Sequence, residues 1–146
     1  MTSPTTRPSI WDRLLALDLI GTATFGAALI LLPDPTRSFF DLVAFPAGGS
    51  PVDGPVAPYV EFVYGVLGAV MIGWALALMA IVRGPLRDRQ PWAWWAVTSS
   101  IGGWFTIDTM FSLANGYPGN AVLNTVFAVT FAVPLLMIRR ERISAP

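Results

Sequence analysis

The sequence predicts an all-α protein, a bundle of four transmembrane helices with an extracytoplasmic loop between the first and the second. Three observations carry that expectation. Of 146 residues, 54% are hydrophobic and only 12% charged, about half the charge of an ordinary soluble domain, and the mean hydropathy is +0.60. Four apolar segments, 10–33, 58–82, 92–114 and 119–138, are each long enough to cross about 30 Å of hydrocarbon as a helix. The nine basic residues, all arginine, are distributed unevenly about those segments. Arg7 and Arg13 precede the first, Arg83, Arg87 and Arg89 separate the second from the third, and Arg139, Arg140 and Arg142 follow the fourth. Only Arg37 falls on the other side. Basic residues stay with the cytoplasmic loops, so both termini are expected in the cytoplasm.

The elements follow in order. Residues 1–9 form a polar tail, and Ser9 is placed to cap the first helix, with Asp12 favourable in its first turn. The apolar run is too long for a signal-peptide core and is interrupted by Asp18, so it reads as a retained helix. Asp18 reads equally as a structural acid, satisfied by Trp74 Nε1–H and a serine hydroxyl, or as a functional one. The first connection, "PDPTRSFFDLVAFPAGGSPVDGPVAP", is too long for a tight turn. Its first half predicts a short helix after Asp34–Pro35, with Phe39, Phe40, Val43 and Phe45 resting on the outer membrane surface or capping the bundle. Between a lid over a pocket and an interfacial connector, the sequence favours the connector, because such Phe-rich helices are common beside membranes.

The second connection, "RGPLRDRQP", is short, so the helices on either side are antiparallel neighbours. Trp92, Trp94 and Trp95 begin the third segment and read as an aromatic belt at the membrane surface. The third connection turns at "NGYPG", where glycine supplies permissive backbone and Pro118 stops the preceding helix. No repeat or linker interrupts the chain, so residues 1–146 read as a single integral membrane domain.

Composition excludes several chemistries. The net charge is zero, so no nucleic-acid partner is implied. Cys, His and Lys are all missing, which removes thiolate nucleophiles, the commonest metal ligand and side-chain Schiff bases. Neither a metal site nor a cofactor is expected. Any catalysis must use Asp, Glu, Tyr, Ser, Thr or Asn.

Each segment carries a stripe at helical spacing. The first has Asp18, Gly21, Thr22, Phe25 and Gly26, and the second has Glu61, Tyr64, Gly65, Gly68 and Ile72. The third has Trp104, Asp108, Ser112 and Asn115, and the fourth has Asn120, Asn124, Phe127 and Phe131. Polar groups facing lipid are costly, so these stripes should turn inward. Asp108 then lies about 10 Å from the outer end of its helix, level with Tyr64 and Asn124, with Glu61, Ser112, Asn115 and Asn120 just outside. A carboxyl carrying a proton beside a carboxylate makes a general acid–base pair. Asp108 and Glu61 are therefore the candidate catalytic residues. Tyr64, Trp104, Ser112, Asn115, Asn120 and Asn124 are the candidate substrate-binding residues. The corresponding partner is a lipophilic small molecule within membrane lipid.

The run "DTMFSLANGYPGNAVLN" resembles small four-helix membrane proteins of fungal polyketide and terpenoid pathways, some of which are epoxide hydrolases or cyclases. The likeness covers the third and fourth segments, about a third of the chain, and matches Asp108, Asn120 and Asn124 by pattern. It implies carboxylate-dependent epoxide opening, isomerisation or cyclisation. The layout is also similar to sterol-isomerase-like membrane proteins, although the placement of Trp and acids departs from theirs. Two other readings stay open. One is a non-enzymatic subunit of a larger membrane complex, or a homo-oligomer, whose polar stripes bond between helices. The other is a proton path through Asp18 and Asp108, which would need a continuous file of water.

Tags at both termini should report from the cytoplasm and a reporter inserted at Gly49 from outside. Termini on opposite faces would end the four-span expectation.

Overall fold

The computed structural model describes residues 8–45 and 54–143, the side chains of residues 142 and 143 excepted. Those residues hold five α-helices and no strand. The tail before residue 8 and the Pro/Gly-rich half of the first loop, where Gly49 falls, lie outside the described residues.

Helix α1, Ile10–Leu31, opens with the cap the sequence announces. The Ser9 amide donates to Asp12 Oδ2 at 2.9 Å, and the Asp12 amide donates back to Ser9 Oγ at 3.3 Å. The two residues satisfy amides that the first helical turn leaves free. Leu32 breaks the helix, and Pro33 starts α2, Pro33–Ala44. That is two residues ahead of the expected start, since a proline is preorganised for the first helical position. Helix α3, Ala57–Ile81, follows a single 3₁₀ turn at Gly54–Val56. It runs on into a π-helical turn, Val82–Leu86, that carries Pro85. The chain reverses at Arg89, held at φ 59°. Helix α4, Pro91–Ala114, runs back and ends at Gly116, whose φ of +80° is open to glycine without strain. Helix α5, Pro118–Ile143, completes the chain.

The bundle has two unlike halves. At the end that holds the start of α1, the α3–α4 corner and the end of α5, here the basic end, side chains fill the interior. Leu15 and Leu19 of α1, Val97 and Ile101 of α4, and Phe131 and Leu135 of α5 form a buried cluster there. Burial of each such side chain contributes on the order of 1.5–3 kcal/mol against a watery reference, and less against lipid, where close packing is what remains. Trp94 belongs to this cluster and not to a surface belt: it is buried and its Nε1–H donates to the Leu135 carbonyl at 2.9 Å. The Arg139 guanidinium lies 4.8 Å from its ring centroid, a cation–π contact. Trp92 and Trp95 remain exposed, as a belt requires. Asp18 also departs from expectation. Trp74 Nε1–H donates to Ser100 Oγ at 2.7 Å and not to the Asp18 carboxyl.

Above that core α1 and α3 meet backbone to backbone. A Cβ added to Gly26 would lie 2.7 Å from the Gly68 carbonyl oxygen, and one on Gly68 would press on the Gly26 carbonyl. Small residues let membrane helices approach this closely.

Three helical runs are long and apolar enough to cross a membrane: Ile10–Leu31, Gly54–Leu86 and Pro118–Glu141. They mark an integral membrane protein. The sequence suggested four such runs. Helix α4 has the length, at 24 residues, but Thr98, Ser99, Ser100, Gly102 and Gly103 at its middle lower its hydropathy.

Gly26→Ala or Gly68→Ala should lower the thermal midpoint in detergent, at a cost of about 1–3 kcal/mol for an overpacked backbone contact. Gly73→Ala, with nothing within 4 Å of the added carbon, should be neutral or stabilise by up to about 1 kcal/mol through helix propensity. Equal melts for all three variants would mean that α1 and α3 do not touch at these glycines.

Candidate functional site

The half of the bundle away from the basic end is hollow. A cavity of about 450 Å³ opens among all five helices, within the usual range for small-molecule sites. Each helix contributes by its own period. On α5, Asn120, Asn124, Phe127 and Phe131 descend one face, and on α4 Trp104 and Asp108 stand one turn apart. Helix α1 supplies Thr22 and Phe25, and α3 supplies Leu67, Val70, Met71 and Trp74. Phe40 of α2 closes the top.

The polar end is a knot between α4 and α5. Asn120 Nδ2 donates to Asp108 Oδ1 at 3.2 Å and to Ser112 Oγ at 2.8 Å. The Ser112 hydroxyl donates to the Asp108 carbonyl at 2.7 Å, and its oxygen lies 3.3 Å from Asp108 Oδ1. Asn120 thereby spends both amide protons. Asp108 Oδ2 and the Asn120 carbonyl receive no hydrogen bond from the described residues. One turn further down, Asn124 is 3% exposed and its Nδ2 has no hydrogen-bond partner. A buried donor left unmade costs about 1–3 kcal/mol, so Asn124 is a group waiting for an acceptor.

Aromatic rings finish the two ends. The floor is Trp74 and Trp104, with centroids 6.1 Å apart. The roof is α2, whose Phe39 and Phe40 pack against Phe25 of α1 at 5.9 and 6.1 Å. Phe40 also meets Tyr64 at 5.2 Å, and Phe45 makes an edge contact with Tyr117 at 6.0 Å. A Cβ on Gly119 would collide with the Val43 carbonyl, so glycine lets the start of α5 tuck under α2. The short helix is thus a cap with one side chain in the cavity, closer to the lid reading than to the favoured connector.

The structure brings together Trp104, Asp108, Asn120 and Asn124 in the cavity wall, with Ser112 behind Asp108. It does not bring in the rest. Glu61 is not part of the wall, which therefore holds one carboxyl where the sequence suggested two. Tyr64 stacks on Phe40 outside the lining. Asn115 donates from Nδ2 to the Phe111 carbonyl at 2.8 Å and closes the exposed end of α4. The misreading lies in α3. Its stripe through Glu61, Tyr64, Gly65 and Gly68 follows the face that carries Gly68 against α1, and the cavity face is Leu67, Val70, Met71 and Trp74. Helix α3 is apolar nearly all round, so no periodicity separates the two faces. Phe40 had a signal in the amphipathic pattern of "SFFDLVAF".

Chemically, the arrangement accommodates an apolar body along the rings and aliphatic side chains, with an oxygen at the Asp108–Asn124 end. One carboxyl can give or take one proton there. Comparison with known proteins gives no match: no family model, no curated protein and no solved structure is significantly similar to this chain.

Proposed function

We propose that this protein binds a lipophilic small molecule inside the membrane and that Asp108 exchanges a proton with, or grips, an oxygen of that molecule. The observation that carries the reading is the buried, unpartnered Asn124 amide beside Asp108 in an otherwise apolar cavity. Nothing in the packing of the bundle needs that donor, and a ligand acceptor would satisfy it. A proton moved by Asp108 is sufficient for an isomerisation, an epoxide opening or a cyclisation in which the molecule supplies its own nucleophile. Epoxide hydrolysis would ask more, because one carboxyl must then serve both the leaving oxygen and the water. The resemblance of "DTMFSLANGYPGNAVLN" to small membrane epoxide hydrolases and cyclases agrees with this class of chemistry.

In this reading α4 is a fourth span. It is as long as the others and packs extensively on α5, to which it is joined by a tight turn. A helix laid along a membrane-crossing neighbour for its full length crosses with it. The eight-to-one division of arginines along the sequence then puts both termini in the cytoplasm and the polar knot toward the outer leaflet.

The subunit reading keeps one specific support. Ser99, Gly102 and Thr106 lie exposed on one face of α4, at the three- and four-residue spacing that suits a neighbouring helix. A complex or homo-oligomer that survives mild detergent would favour it.

Asp108→Asn is nearly isosteric and should leave the melt within a few degrees of wild type. Loss of ligand should accompany it, read as the small molecule retained through purification and identified by mass spectrometry. Asn124→Leu should weaken retention by about tenfold, the worth of one hydrogen bond to a buried donor. Glu61→Gln should retain the molecule as wild type does. Unchanged retention in both Asp108→Asn and Asn124→Leu would reduce the polar knot to a tie between helices.

A further inference from the structure

The cavity wall is not closed all round. Helices α3 and α4 meet along a short stretch only, where Trp74 Nε1–H reaches Ser100 Oγ and its ring lies against Trp104. Toward the loop end they diverge, and α2 packs on α1, α3 and α5 without reaching α4. Leu67 and Val70 border that gap. Both line the cavity, yet they are 42% and 62% exposed. A large apolar side chain that lines a cavity and is still exposed to this degree stands at an opening, and among the described residues nothing fills this one. It opens along the flank of a helical run that is long and apolar enough to cross a membrane.

The polar end imposes a second condition. Asp108 Oδ2 and the Asn120 carbonyl offer acceptors, and Asn124 Nδ2 offers a donor. A single oxygen that answers both kinds must donate and accept at once. A hydroxyl does so. An ether or ester oxygen satisfies Asn124 and leaves the Asn120 carbonyl, which can only accept, without a proton.

We infer that the ligand is a membrane-dissolved alcohol that enters sideways through the gap between α3 and α4, its hydroxyl seated between Asp108 and Asn124 and its apolar body lying toward Trp74 and Trp104. This rests on the binding reading above and adds the route and the head group. Entry from the bilayer spares an apolar molecule any passage through water. It also explains why the roof over the loop end can be packed with rings. The hydroxyl remains bonded on both of its faces after the molecule has left the membrane surface, which makes the transfer tolerable for a polar group.

The test uses the full chain in phosphatidylcholine vesicles. The probe is a long-chain primary alcohol with a photoreactive diazirine at mid-chain, compared with its methyl ether. After illumination, mass spectrometry locates the label. The alcohol should mark Met71, Leu123 and Trp74 in the cavity, and the ether should mark them about tenfold less, the loss of one hydrogen bond. Both probes should mark the outward-facing Leu76 equally. Val70→Trp and Leu67→Trp, which fill the gap from either border, should each slow cavity labelling by about tenfold or more, judged against a barrier rise of that size. Leu76→Trp, elsewhere on α3, should not slow it. Cavity labelling that persists at the wild-type rate in both gap variants would overturn the sideways route. Equal cavity labelling by alcohol and ether would overturn the hydroxyl assignment. If neither probe marks the cavity of the wild-type protein, the binding reading falls with the inference.

Discussion

At one level of the bundle the carbonyl oxygens of α1 and α3 each lie against the glycine of the other helix, Gly26 facing Gly68. No side chain separates them there, so α3 is drawn to α1 more closely than ordinary helix packing allows. A helix held so close to one neighbour can stand apart from the neighbour on its other side. Helix α3 leans from α4, and the two keep contact only near the Trp74–Ser100 bond and the α3–α4 corner. The cavity occupies the space between them. Leu67, Val70 and Met71 stand on the face of α3 that the lean exposes, and Phe127 and Phe131 of α5 look across at them. The close approach of two glycines on one side of α3 is thus matched by a hollow and an open flank on its other side.

The polar knot is the second constraint, and it works against the solvent. A carboxyl in an apolar surrounding is costly unless its oxygens are bonded. Asn120 offers the lower-cost arrangement available from α5, because its two protons reach Asp108 and Ser112 together. This ties α4 to α5 at the loop end as the Trp94–Leu135 bond ties them at the basic end. The contrast with Asp18 is instructive. Asp18 is half-buried on the flank of the filled half and lines no cavity. Asp108 is bonded on one oxygen only and borders empty space. The difference between a carboxyl that serves structure and one that can serve a ligand is thus the volume beside it, not the number of its partners.

Much of this is written in the sequence where polarity interrupts grease. Ser9 with Asp12 announces the start of α1, and Asp108 with Ser112 and Asn120 with Asn124 announce the inward faces of α4 and α5. Each is a polar residue whose exposure to lipid would be expensive, so helical spacing alone orients the helix. Helix α3 offers no such lever. Between Tyr64 and Arg83 its most polar side chain is Trp74, and glycine reads equally well as cavity lining or as contact. Gly68 is contact, and Glu61 and Tyr64, on the same stripe, are turned with it. Trp94 was lost for a related reason. Three tryptophans within four residues look like a belt, yet Trp94, Val97 and Ile101 share one helical face, and burial follows that face and not the cluster. The gap between α3 and α4 has no sequence signal, because it goes with a contact on the opposite side of α3.

The division into a solid half and a hollow half also bears on where function can reside. Filled at the basic end, the bundle keeps its helices fixed in orientation by Trp94, Phe131 and Leu135 while the loop end supports a void, since an apolar void stays dry and costs packing that must be recovered elsewhere. A cavity that served nothing would be removed by larger residues at Val70 or Met71, which have room to grow into it. Lining it with two asparagines and an aspartate would be the most expensive alternative, because each brings polar atoms that lipid cannot satisfy. Apolar volume, an unmet donor and an open flank would each lower stability in a bundle meant only to hold together. They coincide at one end of one molecule, where a single occupant with an apolar body and a hydroxyl would relieve all three.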